Sequence, residues 1–489
     1  MTTNPYSKSI RLGLYALIGG ALLLFVVRNL PWHLDNYDQA RQAYAALDIV
    51  QNGHWLLQEL PYGGYATKPP LTAWLQAACY YIPGVGWDVA LRLPLFAAAV
   101  VLLLLMYRCG LRLGGSLGAA LAVAAFAFNM MTVRIATLVR TDMLLALFCF
   151  IPGLMILNHI ERKQAWSRRE VFFFFLAILA AVFTKGHTVY AFLLPGLAAF
   201  ALIQRKRGEP NRAWPGWTAL LVPILLLLGT LVWAVWRYPG FYEQIVVGEM
   251  ASAFQPSEGG KTAKPFLYYV AHILHRWSPW SLLLILLAGT QVKRLKTCWK
   301  DPVFVWLACW TLGGLLVISA IPDKRSDRLF PLLPPLALLL VYFASLYDKA
   351  RLLGLNYRRL VTGVIVLGTC LWTAYGLSET GNDWRKQTHA LRLFSTRIAA
   401  QIPRERLAVA GPSAEGFLCY FEQTESMTAA EAVRAWKEQR LNALVISRHL
   451  LEGHEADFEP YAVLDRVQDP FNEESYSCII PTESAPEAP

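Results

Sequence analysis

The sequence predicts an α-helical polytopic membrane protein that ends in a small α/β domain. Of the 489 residues, 55% are hydrophobic and only 16% are charged, whereas soluble domains usually carry about 25% charged residues. The hydrophobic residues cluster in runs of roughly 18–22 residues, the length of a helix that spans a bilayer. Because only helices satisfy their own backbone hydrogen bonds in lipid, each run predicts a transmembrane helix.

Window hydrophobicity predicts about eleven spans within residues 1–378. The first, Leu12–Val27, follows Lys8 and Arg11 and is not followed by a small-residue cleavage site, which indicates a retained anchor. The other spans are centred near Leu91–Leu111, Leu117–Met131, Met143–His159, Val171–Phe183, Thr188–Ile203, Thr218–Trp236, Phe266–Leu287, Val303–Ala320, Leu329–Leu346 and Leu360–Leu377.

Basic residues recur in alternate loops between these spans. Clusters occur at Arg162–Arg169, Arg205–Arg212 and Lys293–Lys300. Cytoplasmic loops of membrane proteins carry an excess of Lys and Arg, so these loops and the N terminus are predicted to be cytoplasmic in a cell inner membrane. The C-terminal domain is then periplasmic. This bias explains most of the net charge of +11, so no nucleic-acid partner is predicted.

The composition becomes polar and mixed after about Glu379. Residues 379–481 are predicted to form the small α/β domain, with short strands at Arg404–Ala410 and Ala443–Ser447 and an amphipathic helix at Ala429–Gln439. Residues 482–489, rich in Pro, Glu and Ala, are predicted to be disordered.

The cysteines and short motifs exclude several kinds of site. Cys419 and Cys478 share the C-terminal domain, where either a disulfide or two free buried thiols is compatible with the sequence. No CxxC or His/Cys spacing indicates a zinc site. No phosphate-binding glycine loop indicates a nucleotide site.

Ionisable residues concentrate in the predicted outer loops, whereas channels and carriers usually place them within the spans. The first outer loop, Arg28–Ala90, is long. Apolar residues in Gln39–Asn52 have the spacing of an amphipathic helix at the membrane interface, and Leu71–Ile82, after Pro69-Pro70, predicts a second. Two such helices would form a groove suited to a lipid-linked substrate.

Ordered motifs in the outer loops resemble a known family. The first loop contains Asp38-Gln39-Ala40-Arg41, Gly53-His54-Trp55 and Lys68-Pro69-Pro70-Leu71 in order. Later come Thr184-Lys185-Gly186, Lys264-Pro265-Phe266, and Lys324 ahead of Phe330–Pro335. The set resembles the GT-C glycosyltransferases, in the branch of the lipid A aminoarabinose transferase and the bacterial relatives of protein O-mannosyltransferases. The resemblance covers about residues 30–340, and the C-terminal domain is similar only in position.

The resemblance implies a GT-C fold and an inverting transfer of one sugar. The donor would be an undecaprenyl-phosphate-linked sugar, and the acceptor lipid A, a lipopolysaccharide or other envelope glycan, or a protein. Asp38 matches the family's catalytic carboxylate and could act as general base on an acceptor hydroxyl. If the acceptor is already a phosphate, Asp38 would instead orient groups or stabilise oxocarbenium character. Capping of the following helix is an alternative role that does not exclude catalysis.

Further site residues follow from the same resemblance. Asp142 is the second predicted catalytic carboxylate, with helix capping as its alternative role. The predicted ligands of the donor phosphate are Lys68, Arg41, Lys185, Lys324 and Arg328. The predicted substrate groove contains Tyr62, Pro69, Glu249, Lys264, Tyr268 and His272. Ordinary surface charge, paired with carboxylates or lipid phosphates, is the alternative reading of the cations.

Departures from the family pattern bear on metal dependence. Gln39 stands where the family often has Glu, and Thr67 stands where relatives can have an acidic residue that contacts a metal. No cofactor and no metal requirement are therefore predicted, and the protein is expected to act as a monomer. Two other functions remain open: a transporter or flippase of the same lipid-linked sugar, and a non-catalytic lipid-binding scaffold.

Overall fold

Long hydrophobic helices form a membrane bundle that carries a small mixed domain at one end. The computed structural model describes residues 8–34, 38–209, 214–248, 264–347, 351–352, 354–411, 415–471 and 473–482. The predicted disordered tail lies outside the described residues apart from Thr482.

The helices of the membrane domain are listed here in chain order. They are α1 (Lys8–Arg28), α2 (Asp38–Asn52), α3 (Leu71–Tyr80), α4 (Trp87–Ala127), α5 (Met130–Ile135), α6 (Asp142–Arg162), α7 (Arg168–Lys185), α8 (Thr188–Lys206), α9 (Trp217–Arg237), α10 (Tyr268–Arg276), α11 (Trp280–Thr290), α12 (Leu295–Cys298), α13 (Pro302–Ala320), α14 (Leu333–Ser345) and α15 (Tyr357–Arg385). Two small hairpins accompany them, β1–β2 (Glu59–Leu60 with Gly64–Tyr65) and β3–β4 (Arg351–Leu352 with Leu355–Asn356).

Multiple membrane crossings are confirmed. In the described part of the chain, eight helical segments are long and apolar enough to cross a membrane, and α10 with α11, bent by 104°, can form a ninth span. Helix α4 contains two of the predicted spans. The chain reverses at Gly114 and Gly115, where Gly115 has φ 63°, and a Cβ on Gly110 would lie only 2.5 Å from the carbonyl oxygen of Gly118. The 18-residue α7, which packs against α6 and α9, corresponds to the remaining predicted span.

The basic loops gather at one end of the bundle. Arg112 pairs with Glu161 at 3.4 Å, and the Arg207 guanidinium donates to the carbonyl of Trp299 in another basic loop. These are loops predicted to be cytoplasmic. The interfacial helices α2 and α3 belong to the opposite end, where they pack against each other and on the C-terminal domain.

The C-terminal domain is built on a four-stranded mixed sheet. Its elements are α16 (Ala390–Gln401), β5 (Leu407–Ala410), α17 (Glu415–Phe421), α18 (Ala429–Lys437), β6 (Ala443–Ser447), α19 (Arg448–Gly453), α20 (Glu455–Phe458), β7 (Tyr461–Gln468) and β8 (Ser475–Pro481). The strand order is β5-β6-β8-β7, with β5 parallel to β6 and the other pairs antiparallel. The predicted strands and helix correspond to β5, β6 and α18. Helix α15 runs on to Arg385, beyond the predicted domain boundary at residue 378.

Strand alternation gives the sheet two apolar faces. Leu407 and Val409 pack with α16, α17 and the interfacial helix α2, whereas Ala408 and Ala410 pack with α18 on the other face. One hydrophobic cluster thus joins the sheet, α17 and α2. The C-terminal domain is therefore packed against the first outer loop, because the two share one hydrophobic core.

Candidate active site

A charged cavity of about 340 Å³ opens beside α2. Its wall is formed by α2, the Lys68 loop, the segment before α6, the end of α7 and the segment before α14. Of the described residues, six cations and three carboxylates line it: Arg41, Lys68, Arg140, Lys185, Arg325 and Arg328, with Asp38, Asp323 and Asp327. This described lining has an excess of three positive charges and suits an anionic ligand.

Asp38 begins α2 and faces this cavity. Its Oδ2 lies 2.9 Å from Nη2 of Arg325 and 3.2 Å from Nη1 of Arg140. About a third of the Asp38 side chain is exposed, so a bound molecule can reach it. Burial lowers the pKa of Arg325, but the carboxylates of Asp327 and Asp38 outweigh it, and the pKa lies above its ordinary value. Arg325 is therefore a permanent cation beside Asp38.

Arg140 connects three separate segments of the site. Its guanidinium lies 3.2 Å from Asp38, 2.9 Å from Asp142 and 2.5 Å from Asp327. The Arg140 segment is itself tied to α2, because the backbone N–H of Val139 donates to Oε1 of the buried Gln39 at 3.1 Å. Gln39, a departure from the family pattern, thus supplies a neutral acceptor that fixes Arg140 beside Asp38.

Asp142 lies behind the cavity wall. Its side chain is 2% exposed, and its oxygens lie 2.7 Å from Lys185 Nζ and 2.9 Å from Arg140 Nε. Asp142 is absent from the cavity lining, although both of its cationic partners line it. This geometry suits a carboxylate that holds Lys185 and Arg140 in place. The predicted catalytic role of Asp142 stays a prediction.

The Lys68 loop is shaped by the motif that precedes it. Gly53 has φ 71°, a conformation that glycine adopts readily, and it allows the chain to turn after α2. The buried Asp48 accepts from the backbone N–H of Glu59 at 2.9 Å and contacts Nδ1 of His54 at 3.1 Å. These contacts set the path of the β1–β2 hairpin, which ends shortly before the exposed Lys68 on the cavity.

Four of the five predicted phosphate ligands line the cavity. They are Arg41, Lys68, Lys185 and Arg328. Arg328 Nη2 also lies 2.6 Å from Asp323. The fifth, Lys324, is 5% exposed, does not line the cavity, and donates from Nζ to the carbonyl of Ile321 at 2.8 Å. Its position supports the backbone of this segment.

The predicted groove residues are divided among several places. Pro69 lines the cavity, whereas Lys264 and Tyr268 line a neighbouring cavity of about 310 Å³. His272 contacts the carbonyl of Tyr268 through Nδ1 at 3.0 Å, and its ring lies 4.1 Å from the Tyr268 ring. Tyr62 belongs to the turn Pro61–Gly63, and its side chain lies outside the described part of the chain, as does Glu249.

The carboxylates around the cavity are arranged as ion pairs. Across the residues that the structure describes, no three His, Cys, Asp or Glu side chains come together as metal ligands would. Each of the three cavity carboxylates already pairs with at least one guanidinium. The charge bias alone marks Arg140 and Arg325 as candidates for an anion site, because they are arginines in outer loops. No sequence signal marked Asp327 as a site residue.

Comparisons with known proteins agree with this picture. Residues 67–233 match the family described as dolichyl-phosphate-mannose-protein mannosyltransferase. Relatives named undecaprenyl phosphate-alpha-4-amino-4-deoxy-L-arabinose arabinosyl transferase include those of Serratia proteamaculans, 24% identical over 71% of this chain, and Shewanella sediminis, 24% identical over 62%. The matches span 64% and 54% of those relatives' lengths, less than two thirds of either. Their name is that of the transferase class that the motifs predict.

Solved structures extend the likeness over nearly the whole chain. ArnT from Cupriavidus metallidurans bound to undecaprenyl phosphate is 15% identical, with a TM-score of 0.74 over 97% of this chain and 99% of that one. The Archaeoglobus fulgidus oligosaccharyltransferase is 11% identical, with a TM-score of 0.56 over 91% of this chain and 71% of that one. The predicted resemblance is confirmed, and the chain has the fold of the GT-C membrane glycosyltransferases.

Proposed function

We propose that the protein is an inverting glycosyltransferase that moves one sugar from an undecaprenyl-phosphate donor to a cell-envelope acceptor. The observation that carries this proposal is the placement of Asp38 on a cavity lined by six cations and three carboxylates. A transferase of this kind needs a carboxylate near the acceptor oxygen and fixed cations near the leaving phosphate.

The cations would stabilise the leaving group. As the bond between the anomeric carbon and the phosphate oxygen breaks, its electron pair passes to the phosphate. Lys68, Arg41 and Arg328 line the cavity from three different segments and can surround that charge. Preorganised cations lower the energy of charge that develops in the transition state. Relatives named for an undecaprenyl phosphate-linked sugar support a donor of the same lipid class.

Asp38 would serve the acceptor. Among the described residues, both of its ion pairs are made by Oδ2, so Oδ1 is the oxygen placed to take the acceptor's proton. The acceptor oxygen then attacks the anomeric carbon from the side opposite the phosphate, which inverts its configuration. With a phosphate acceptor no proton need be removed, and Asp38 would orient the acceptor instead.

The reaction would take place on the periplasmic side of the inner membrane. The basic loops meet at one end of the bundle, and we assign that end to the cytoplasm by the charge rule. The interfacial helices and the C-terminal domain then face the periplasm. Lipid A, another envelope glycan and a protein are the candidate acceptors.

A transfer assay tests the proposal. Purified protein in proteoliposomes would be incubated with an undecaprenyl-phosphate sugar and with envelope lipid from a deletion strain, and the products compared by mass spectrometry. Wild type should add one sugar mass to an acceptor. Asp38→Asn should lower the rate at least roughly 100-fold, because it removes the base but keeps the shape.

Asp465→Asn is the matched control. Asp465 is a partly exposed carboxylate on the C-terminal sheet, paired with Arg397 and remote from the cavity lining. It should transfer sugar at the wild-type rate. Equal activity of Asp38→Asn and wild type would remove Asp38 from the mechanism. Lipid binding without transfer to any acceptor would favour a transporter or scaffold.

We also propose that transfer needs no divalent metal. Asp38, Asp323 and Asp327 each pair with arginine, so a cation entering the cavity would have to displace an ion pair. Activity after exhaustive EDTA treatment should equal that of untreated enzyme. Loss of activity that Mg²⁺ or Mn²⁺ restores would contradict this view.

A further inference from the structure

The helix that carries Asp38 is clamped by one helix of the C-terminal domain. Contacts at successive points join α17 and the residues after it to α2 and the chain that enters it: Tyr420 Oη accepts from the backbone N–H of Leu34 at 2.7 Å, and Cys419 Sγ lies 3.7 Å from the carbonyl of Ala40. One turn further along α2, Tyr44 Oη donates to the carbonyl of Thr424 at 2.6 Å. The entry to α2 and its first two turns are thus fixed from outside the membrane domain.

Glu415 is the charged side chain of α17, and it lies within this interface. Glu415, at the start of α17, is 8% exposed, and its Oε1 lies 3.3 Å from Nε of Arg41. Its Oε2 is buried and has no hydrogen-bond partner among the described residues. A buried carboxylate costs folding free energy unless its surroundings compensate it well, and an apolar residue would often serve stability better.

Apolar packing also holds the domain against α2. The interface already buries Ala43 and Leu47 of α2 against Phe417 and Phe421 in one hydrophobic cluster. A charged side chain beside this apolar cluster points to a role beyond cohesion. Glu415 contacts Arg41, and Arg41 lines the active-site cavity. This contact indicates that the role of Glu415 concerns the active site.

Arg41 and Asp38 share one face of α2. They are three residues apart, a spacing that places side chains side by side on a helix. The Arg41 side chain is about half exposed, and each contact that it makes restricts the rotamers open to its long stem. A contact at Nε restrains the guanidinium plane and thereby sets the direction in which the group faces the cavity.

We propose that Glu415 is a positioning residue through which the C-terminal domain holds Arg41 in the orientation that meets the donor phosphate. This inference deepens the proposed function and rests on it for the identity of the anion. It makes the C-terminal domain part of the donor site, although none of that domain's described residues is among those that line the cavity.

Lipid affinity of the full-length protein tests the inference without any transfer assay. Undecaprenyl phosphate would be titrated into purified protein in detergent, with dissociation constants measured for wild type, Glu415→Asp and Glu415→Gln. Glu415→Asp keeps the charge but shortens the reach, and Glu415→Gln keeps the reach but removes the charge. Both should weaken binding roughly fivefold, the size of a partly exposed ion-pair effect. The kcat of transfer should change less than the donor KM.

A double variant separates positioning from docking. In an Arg41→Gln background, Glu415→Gln should have no further effect on affinity, because the group it positions is gone. Glu422→Gln is the matched control. Glu422 follows α17, pairs with Arg404 and does not line the cavity, so lipid affinity should stay at the wild-type value.

Three outcomes would overturn the inference. Full affinity in Glu415→Asp would mean that charge alone matters, and tighter binding in Glu415→Gln would mean that Glu415 competes with the phosphate. An equal loss with or without Arg41 would assign Glu415 to docking. If instead the expected pattern of affinities is found but wild type transfers no sugar, the positioning role stands and the proposed function fails.

Discussion

The two sides of helix α2 are built on different principles. Its cavity side carries Asp38, Arg41, Gln42 and Ala45, which line the cavity. Its packed side carries a second row of residues, which contacts the C-terminal domain. The packed row is Ala40, Ala43, Tyr44 and Leu47. Both rows follow the spacing of one helical face. Charge balance organises the first row and shape complementarity organises the second.

This difference predicts two kinds of failure. Changes on the cavity side disturb a network of ion pairs open to solvent, so activity should fall more than stability. Changes on the packed side disturb a close-packed apolar core, so stability and activity should fall together. Substitutions matched in size and placed on opposite sides can test this separation.

Among changes to the residues that hold Asp38 in place, the largest effect is expected at Arg140. Arg140→Leu would leave Asp38, Asp142 and Asp327 without their common cation and allow Asp38 to move. We expect kcat/KM to fall roughly 100-fold, since small misplacements of catalytic groups cost this much. Michaelis kinetics and the thermal midpoint would be measured together.

Arg140→Lys is the companion variant. Lysine keeps the charge but presents a single ammonium, so it cannot span three carboxylates. Its activity should lie between wild type and Arg140→Leu. If both variants have wild-type kinetics, the network does not organise Asp38 and the comparison of the two sides is wrong.

Ala43 and Ala45 offer a direct contrast between the sides. Ala43→Leu inserts volume into the core shared with the C-terminal domain, and we expect a loss of about 2 kcal/mol in unfolding free energy, with reduced activity. Ala45→Leu makes the same change two residues on, at a residue that belongs to the same buried cluster but also lines the cavity. The open cavity gives the larger side chain room, so Ala45→Leu should weaken lipid-phosphate binding and lower the thermal midpoint less than Ala43→Leu does. Equal destabilisation by both substitutions would show that α2 has no distinct sides.

The sequence predicted the cavity side better than the packed side, for a physical reason. Asp38, Lys68 and Lys185 lie in short sequence motifs, and the residue types in those motifs indicate a carboxylate and cations at an active site. Arg140 meets Asp327 across 187 residues of chain, and Arg41 meets Glu415 across 374. No local pattern encodes such pairings, because they depend on how the helices and the domain pack.

The fold was predictable to a similar degree and for similar reasons. Hydrophobic runs and their periodicity located the spans, α2 and α3, because lipid and interface impose those patterns directly. Strands β7 and β8 were both missed. The residues of β7 are mostly half-buried and include Asp465 and Arg466, so its alternation is weak. Its pairing with β8 decides its conformation.

The smallest effect is expected from the two cysteines of the C-terminal domain. The sequence left open a disulfide between Cys419 and Cys478, and the structure has both as free, buried thiols. Cys419 lies on the packed side, against the carbonyl of Ala40, and burial raises the pKa of its thiol well above the usual value. A reductant should therefore leave the thermal midpoint unchanged, and alkylation after unfolding without reductant should label both residues. A disulfide would instead contribute roughly 2–4 kcal/mol, so a clear fall in midpoint with dithiothreitol would show that the packed side is cross-linked as well as close-packed.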